Sequence, residues 1–148
     1  MKPKIYTASS WRNEFYEMVV HDLKYNGYEV YDFRNAISTQ GKNQAFDWNQ
    51  IDTGWENWNT EQYLKQLYTN PLCWNAFGSD MKGMQNADIC LLILPCGRSS
   101  HIEAGYMKGL GKTLWIYMPE RVEPELTYRI ADDIFTDIYD ILDALKEW

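Results

Sequence analysis

The chain of 148 residues lacks several features that fix the class of a protein outright. Its three cysteines, Cys73, Cys90 and Cys96, form no C-x-x-C pair, which argues against a disulfide scaffold or a zinc site and favours a reducing compartment. The amino-terminal residues lack the apolar core of a signal peptide, and no apolar run reaches membrane-spanning length. We therefore expect a soluble, cytoplasmic protein with no membrane partner.

Positive charge is also scarce. Fourteen lysines and arginines stand against 21 aspartates and glutamates, a formal net charge of -7. This balance argues against affinity gained by neutralising nucleic-acid phosphates, so we expect no nucleic-acid partner. The glycine-rich dinucleotide fingerprint and the P-loop are both absent, and we expect no cofactor and no metal. Aromatic residues are abundant instead, at 16% of the chain with seven tryptophans and eleven tyrosines.

Strands and helices are predicted to alternate along the chain. Strands are expected over 4–8, 28–33, 87–94, 113–118 and 134–136, and helices over 11–26, 60–68, 74–86, 100–110, 123–131 and 138–146. Gly27 and Gly111 are placed to end two of the helices. This alternation predicts an α/β fold, a flavodoxin-like doubly wound parallel five-stranded sheet with helices on both faces.

The length suits a single domain over residues 1–148, with one unusual insertion at about 34–60. The insertion is polar but contains Trp48, Trp55 and Trp58, so we expect it to pack against something. Two roles stay open for these rings. They stack on a planar base, or they form a hydrophobic plug or a contact between subunits.

Ligands of open parallel sheets bind beyond the carboxyl ends of the strands, near the point where the strand order reverses. The residues that follow the predicted strands are Ser9, Ser10, Trp11 and Arg12; Asp32 and Arg34; Gly97, Arg98, Ser99, Ser100, His101 and Glu103; and Met118 and Glu120. Two of them favour an anion site, because Arg12 and Arg98 each lie near a predicted helix amino terminus beside serines. Of the two, Arg12 is the better partner for a 5′-phosphate, which Glu103 would repel.

Glu103 has two interpretations from its local pattern. Ser100-His101-Ile102-Glu103 fits the S-x-x-E capping box, in which the carboxylate bonds back to the cap amide. Alternatively, the carboxylate is a nucleophile or general base at the mouth of the central crevice. Cys96 is a weaker nucleophile candidate, because no histidine partner is evident for its thiol.

A family resemblance favours the second interpretation. The run Asn86-Ala87-Asp88-Ile89, followed by Gly97-Arg98-Ser99-Ser100-His101-Ile102-Glu103-Ala104-Gly105-Tyr106 and Gly109-Leu110-Gly111-Lys112, resembles the core of the nucleoside 2-deoxyribosyltransferase family. The resemblance is sharpest from Asp88 to Lys112 and extends to related nucleotide N-glycosidases, which use water as acceptor.

The resemblance implies roles for particular residues. Glu103 matches the nucleophilic glutamate and Asp88 a second catalytic carboxylate, although an aspartate before a buried strand also caps turns. The residues implied to bind substrate are Tyr6, Ser9, Ser10, Trp11, Arg12, Gly97, Arg98, Ser99, Ser100 and Met118. The chain has Gly97 where the transferases tend to carry an aspartate, and its loop serines are displaced from those of the hydrolases. The family is typically homo-oligomeric, and Met118 resembles the contribution of a neighbouring subunit.

The expected function is cleavage or transfer at the N-glycosidic bond of a nucleoside or nucleotide. Breaking this bond builds positive charge on the sugar, which a carboxylate beneath C1′ stabilises and can trap covalently. Asp88, Asp47 and Asp52 are candidates for the group that assists the departing base. Two alternatives stay open: a glycohydrolase acting on a nucleotide such as NAD, and a sensor that binds a nucleotide without turnover.

Overall fold

The structure, a computed structural model, describes residues 1–37 and 45–148. Its strands are Lys4–Ala8 (β1), Glu29–Tyr31 (β2), Ile89–Ile93 (β3), Thr113–Tyr117 (β4) and Asp133–Phe135 (β5). They form one parallel sheet in the order β2-β1-β3-β4-β5. The strand order reverses between β1 and β3, which confirms the predicted flavodoxin-like, doubly wound arrangement.

The centre of the sheet is β3, whose five residues are all buried. It pairs with β1 on one side, from Ile5↔Ile89 to Ala8↔Leu92, and with β4 on the other. A strand that is covered on both faces needs apolar residues at every position, which explains the unbroken apolar run.

The helices are Tyr16–Tyr25 (α1), Thr60–Thr69 (α2), Pro71–Asn86 (α3), Arg98–Gly109 (α4) and Ile138–Lys146 (α5). Gly27 and Gly111 follow α1 and α4 with φ of 84° and 82°, a left-handed conformation that favours glycine. The predicted helix at 123–131 is instead a 3₁₀ helix over Leu126–Ile130. Within the described ranges, no helix is both long and apolar enough to cross a membrane.

The described residues group into two units. One consists of residues 1–32 and 83–148 and contains the whole sheet, and the other consists of residues 33–82. Residues 38–44 of the predicted insertion lie outside the described residues. A single domain with an insertion at about 34–60 stays a prediction.

The second unit has an aromatic cluster of its own around Trp48. The Trp48 ring centroid lies 4.8 Å from that of Phe46, 6.0 Å from that of Trp58 and 5.7 Å from that of Tyr63. Asp52 accepts a hydrogen bond from the Trp58 indole at 2.8 Å. These contacts explain how a polar segment folds, because its rings bury one another.

Asp132 joins three elements on the β4 side of the sheet. Its carboxylate accepts hydrogen bonds from the Lys108 ammonium and from the Leu114 amide, both at 2.8 Å. Its own amide donates to the Leu114 carbonyl at 2.8 Å. The hydrogen bonds from Lys108 and Leu114 hold the pKa of Asp132 below its usual range.

Asp132→Asn should therefore lower the free energy of unfolding at neutral pH by about 0.5–1 kcal/mol, a modest figure because solvent screens this exposed carboxylate. A carboxyl group with a lowered folded pKa stabilises the fold above its unfolded pKa, about 3.9, and loses that effect as the pH falls through the folded pKa. Urea unfolding at several pH values should show a constant difference in the free energy of unfolding between wild type and variant from pH 7 to about 5. This difference should disappear on further acidification.

Glu120→Gln is the matched control, because it removes one negative charge from an exposed side chain that makes no hydrogen bond or ion pair with the described residues. The difference in the free energy of unfolding between Glu120→Gln and wild type should not depend on pH. If Asp132→Asn is still less stable than wild type at the lowest pH, the loss of stability does not come from the carboxylate charge.

Candidate active site

Glu103 lies beyond the carboxyl ends of the central strands. Helix α4 follows β3 directly in the chain, and Glu103 is on its second turn with a half-buried side chain. The hydroxyl of Tyr6, from β1, donates a hydrogen bond to Oε2 of Glu103. The tyrosine is only 1% exposed, so this donor is held inside the fold. The pair stands where the strand order reverses, the position that parallel sheets use for ligands.

The capping-box interpretation of Glu103 is wrong. Helix α4 begins at Arg98 with Gly97 as its N-cap, two residues before the predicted start, so Ser100 is inside the helix. The Ser100 hydroxyl donates to the Gly97 carbonyl at 3.0 Å. Glu103 is therefore too far along the helix to bond back to a cap amide, and its carboxylate meets Tyr6 instead.

The loop between β3 and α4 is braced by residues that follow β1. Ser9 Oγ donates to the Ile93 carbonyl at 2.8 Å, and Ser10 Oγ accepts from the Gly97 amide at 2.7 Å. Asn13 Nδ2 donates to the Pro95 carbonyl at 2.9 Å. The two serines, which we expected to bind substrate, thus have contacts that shape the loop.

The sequence analysis did not single out Asn13, which falls inside the helix predicted over 11–26. Its side chain is buried, and Oδ1 accepts from the Phe15 amide at 2.7 Å. An asparagine that bonds its own backbone two residues on favours a turn, which delays the helix until Tyr16. That preference was the signal available in the sequence.

His101 ties the start of α4 to the 3₁₀ helix over Leu126–Ile130. Its Nδ1 lies 2.6 Å from the Gly97 carbonyl and its Nε2 lies 2.9 Å from the Tyr128 hydroxyl. A carbonyl only accepts, so Nδ1 carries the proton and Nε2 accepts from the tyrosine. The two rings stack with centroids 5.8 Å apart.

Cys96 has a histidine beside it after all, since its Sγ is 3.8 Å from Nδ1 of His101. That nitrogen already carries a proton directed at the Gly97 carbonyl, so it is not placed to act as a base. Burial raises the pKa of the Cys96 thiol, and the negative charge of Glu103 raises it further. Burial and Glu103 likewise raise the pKa of Cys90. Both thiols stay protonated at neutral pH, which argues against either of them as a nucleophile.

Asp88 lies at the amino edge of the sheet, directly before β3, and its catalytic role stays a prediction. Its carboxylate accepts from the Lys4 amide at 2.8 Å, where β1 begins. The whole of β3 lies between Asp88 and the loop that leads to Glu103, a span of roughly 16 Å at 3.3 Å per residue. Asp88 therefore caps the amino edge of the sheet, the structural alternative that we had left open.

The remaining predicted site residues in the first unit are more open to solvent. Trp11 is 52% exposed. The side chains of Arg12, Arg98 and Ser99 are exposed, and Met118 is half-buried at the end of β4. All of them follow strands or open α4, so they share the carboxyl edge with Glu103. Substrate binding by these residues, and assembly of a homo-oligomer, stay predictions.

A buried polar network supports the carboxyl ends of β1 and β2. The Tyr16 hydroxyl donates to Asp32 Oδ1 at 2.9 Å and lies 2.9 Å from Thr7 Oγ1. Thr7 Oγ1 also lies 2.7 Å from the Tyr31 carbonyl, to which it donates. Asp32 is 8% exposed, so its carboxylate is held inside the fold by this network.

In the second unit, the two candidate acids already have partners. Asp47 Oδ1 accepts from the Asn49 amide at 2.9 Å, and Asp52 Oδ1 accepts from the Gly54 amide at 2.8 Å. The hydrogen bonds from Gly54 and Trp58 lower the pKa of Asp52. An aspartate with a lowered pKa is ionised at neutral pH and is a poor proton donor to a departing base. Residues 1–37 and 45–148 hold no cluster of three or more His, Cys, Asp or Glu that could bind a metal ion.

Comparison with known proteins identifies the fold. A solved structure of a 2-deoxyribosyltransferase from the psychrotolerant bacterium Bacillus psychrosaccharolyticus matches this chain with a TM-score of 0.67 at 20% identity, covering 96% of this chain and 95% of that one. The two proteins share a fold. The chain matches no protein-family model and no curated protein. The match covers residues of both units and not only the motifs around Glu103.

The state of the Cys96 thiol can be tested by alkylation. Because its pKa is raised, Cys96 should react with iodoacetamide at pH 7.5 more slowly than free cysteine, and buried Cys90 should react only on unfolding. Mass spectrometry of peptides from a time course measures both rates. Labelling of Cys96 faster than free cysteine would restore the thiol as a candidate nucleophile.

Proposed function

We propose that this protein cleaves the N-glycosidic bond of a nucleoside or nucleotide, with Glu103 as the nucleophile, and passes the sugar to a second base or to water. The observation that carries the proposal is the hydrogen bond from Tyr6 to Glu103 at the carboxyl edge of β1 and β3. It holds a carboxylate in a fixed place on a fold that a 2-deoxyribosyltransferase also has. The motif resemblance between Asp88 and Lys112 supports the same chemistry.

The reaction follows from a carboxylate held in this way. An oxygen of Glu103 attacks C1′ while the bond between C1′ and the base nitrogen breaks, and its electron pair leaves with the base, which takes up a proton. The product is a glycosyl ester of Glu103. A nitrogen of a second base, or water, then attacks C1′ and loses a proton, and Glu103 departs as a carboxylate.

Tyr6 acts on the nucleophile in this scheme. We expected it to line the sugar site, but its ring is buried and its hydroxyl points to Glu103. A hydrogen bond to a carboxylate orients the attacking oxygen and stabilises the carboxylate when it leaves the sugar. We therefore propose Tyr6 as a positioning residue.

Incubation with deoxynucleosides, their 5′-monophosphates and NAD, each with and without a second base, should yield free or exchanged base on chromatography.

Glu103→Gln should lower turnover by about three orders of magnitude or more, because no nucleophile remains. Tyr6→Phe should lower kcat by about 10- to 100-fold, the value of a hydrogen bond to a charged group. A substrate with fluorine at C2′ should slow release of the sugar and leave a mass increase on the peptide that contains Glu103.

The control is Glu147→Gln, which removes an exposed carboxylate at the end of α5 and should keep full activity. Full turnover by Glu103→Gln would refute the mechanism. Saturable binding of a nucleotide by a wild-type protein that releases no base would favour a sensor. Released base without exchange would assign the protein to the hydrolases.

We further propose that Arg12 binds the 5′-phosphate of a nucleotide substrate. Its guanidinium is exposed beyond β1, and it makes no hydrogen bond or ion pair with the part of the chain that the structure describes. The preceding Ser10 is fixed to the Gly97 amide at 2.7 Å, so the backbone that carries Arg12 is anchored beside α4. A guanidinium in such a position suits a phosphate because it can donate two parallel hydrogen bonds.

Arg12→Ala should lower kcat/KM for a deoxynucleoside 5′-monophosphate by about 10- to 100-fold and leave kcat/KM for the matching deoxynucleoside unchanged, because only the phosphate contact is lost. Steady-state kinetics on the two substrates measures the ratio of their kcat/KM values in the wild type and in the variant. Arg129→Ala, which removes an exposed arginine from the 3₁₀ helix, is the control for net charge. An equal loss on both substrates would contradict a phosphate contact.

A further inference from the structure

The ring of Tyr6 lies flat against the ring of Tyr31. The two residues are paired across β1 and β2, their ring centroids are 4.9 Å apart and their planes differ by 8°. The hydroxyl of Tyr6 reaches Glu103, whereas Tyr31 is a neighbour that supports the ring from the edge strand. Stacked side chains on adjacent strands restrict one another, so Tyr31 limits the orientations open to Tyr6.

Gly83, on α3, leaves the space that the Tyr31 ring occupies. A Cβ placed on Gly83 would lie 2.6 Å from Cδ2, 2.8 Å from Cγ and 2.9 Å from Cε2 of Tyr31. These atoms form one edge of the ring and include the carbon that joins it to the chain, so no flexible tip can move aside. A methyl group there requires Tyr31 to turn or shift, and either movement disturbs the parallel stack.

We propose that Gly83 and Tyr31 are positioning residues for Glu103 and act through Tyr6. This inference rests on the proposed function of Glu103 and adds two residues that do not touch it. The plane of the Tyr6 ring matters because a phenolic O–H lies preferentially in the plane of its ring. Fixing that plane fixes the direction of the proton that Tyr6 donates to Glu103. Small errors in the placement of a reacting group are costly in rate.

The α3 helix offers a matched pair of substitutions. A Cβ on Gly78 of the same helix meets no described heavy atom within 4 Å, so Gly78→Ala changes the helix without touching a ring. Gly83→Ala should lower kcat by about 10-fold with little change in KM, since it misaligns a group without removing a substrate contact. Gly78→Ala should keep the wild-type kcat.

A second pair tests the ring itself and does not depend on Gly83→Ala folding. Tyr31→Phe keeps the aromatic face and should keep kcat close to wild type, whereas Tyr31→Leu removes the stack and should lower kcat by about 10-fold. An equal loss in both variants would assign the effect to the Tyr31 hydroxyl and overturn the proposal.

A readout without turnover separates this inference from the proposed function. In protein labelled at tyrosine ζ-carbon, the Tyr6 resonance, assigned by Tyr6→Phe, reports its hydrogen bond to Glu103. Gly83→Ala and Tyr31→Leu should shift this resonance in the direction that Glu103→Gln does, and Gly78→Ala should not. If the resonance shifts but even the wild type cleaves no nucleoside or nucleotide, the proposed function fails, and the role of Gly83 and Tyr31 in positioning Tyr6 stands. If the wild type is active but Gly83→Ala and Tyr31→Leu leave the resonance unmoved, the positioning role is refuted.

Discussion

The pairing of β1 with β3 is the interaction on which the candidate active site depends. Its register, from Ile5↔Ile89 to Ala8↔Leu92, brings the carboxyl ends of the two strands together where the strand order reverses. One strand carries Tyr6, and the other leads through a short loop to Glu103. A slip of one residue would turn Tyr6 to the other face of the sheet and remove the hydrogen bond. The hydrogen bonds that build the sheet therefore also set the position of Tyr6 relative to Glu103.

Much of the fold could be predicted because its signals are local. The bounds predicted for the first strand and the last helix are those of β1 and α5, since each is a short periodic segment with clear flanks. Gly27 and Gly111 mark helix ends because only glycine adopts the left-handed conformation without strain. The central strand was predictable from an apolar run that needs no partner to be recognised.

The candidate site was harder to predict because its contacts join distant parts of the chain. The S-x-x-E pattern before Glu103 has the right spacing for a cap, but Gly97 is fixed by Ser10, 87 residues earlier, and the helix begins before Ser100. No local pattern contains that contact. The case of Asp88 differs, because a residue that precedes a parallel strand lies at the amino edge of the sheet, away from a site at the carboxyl edge. The same rule places Asp88 and the loop after β3 at opposite ends of the strand.

The hydrogen bond between Tyr6 and Glu103 closes a loop of 97 residues, and the ring that supports Tyr6 belongs to a strand of only three residues at the edge of the sheet. Short edge strands open at a lower free energy than the centre of a sheet, because fewer buried contacts hold them. The alignment of Glu103 and global folding are then separate properties of the same chain. Opening of this edge strand removes the ring that supports Tyr6 but leaves the core around β3 folded, so the alignment of Glu103 is less stable than the fold itself.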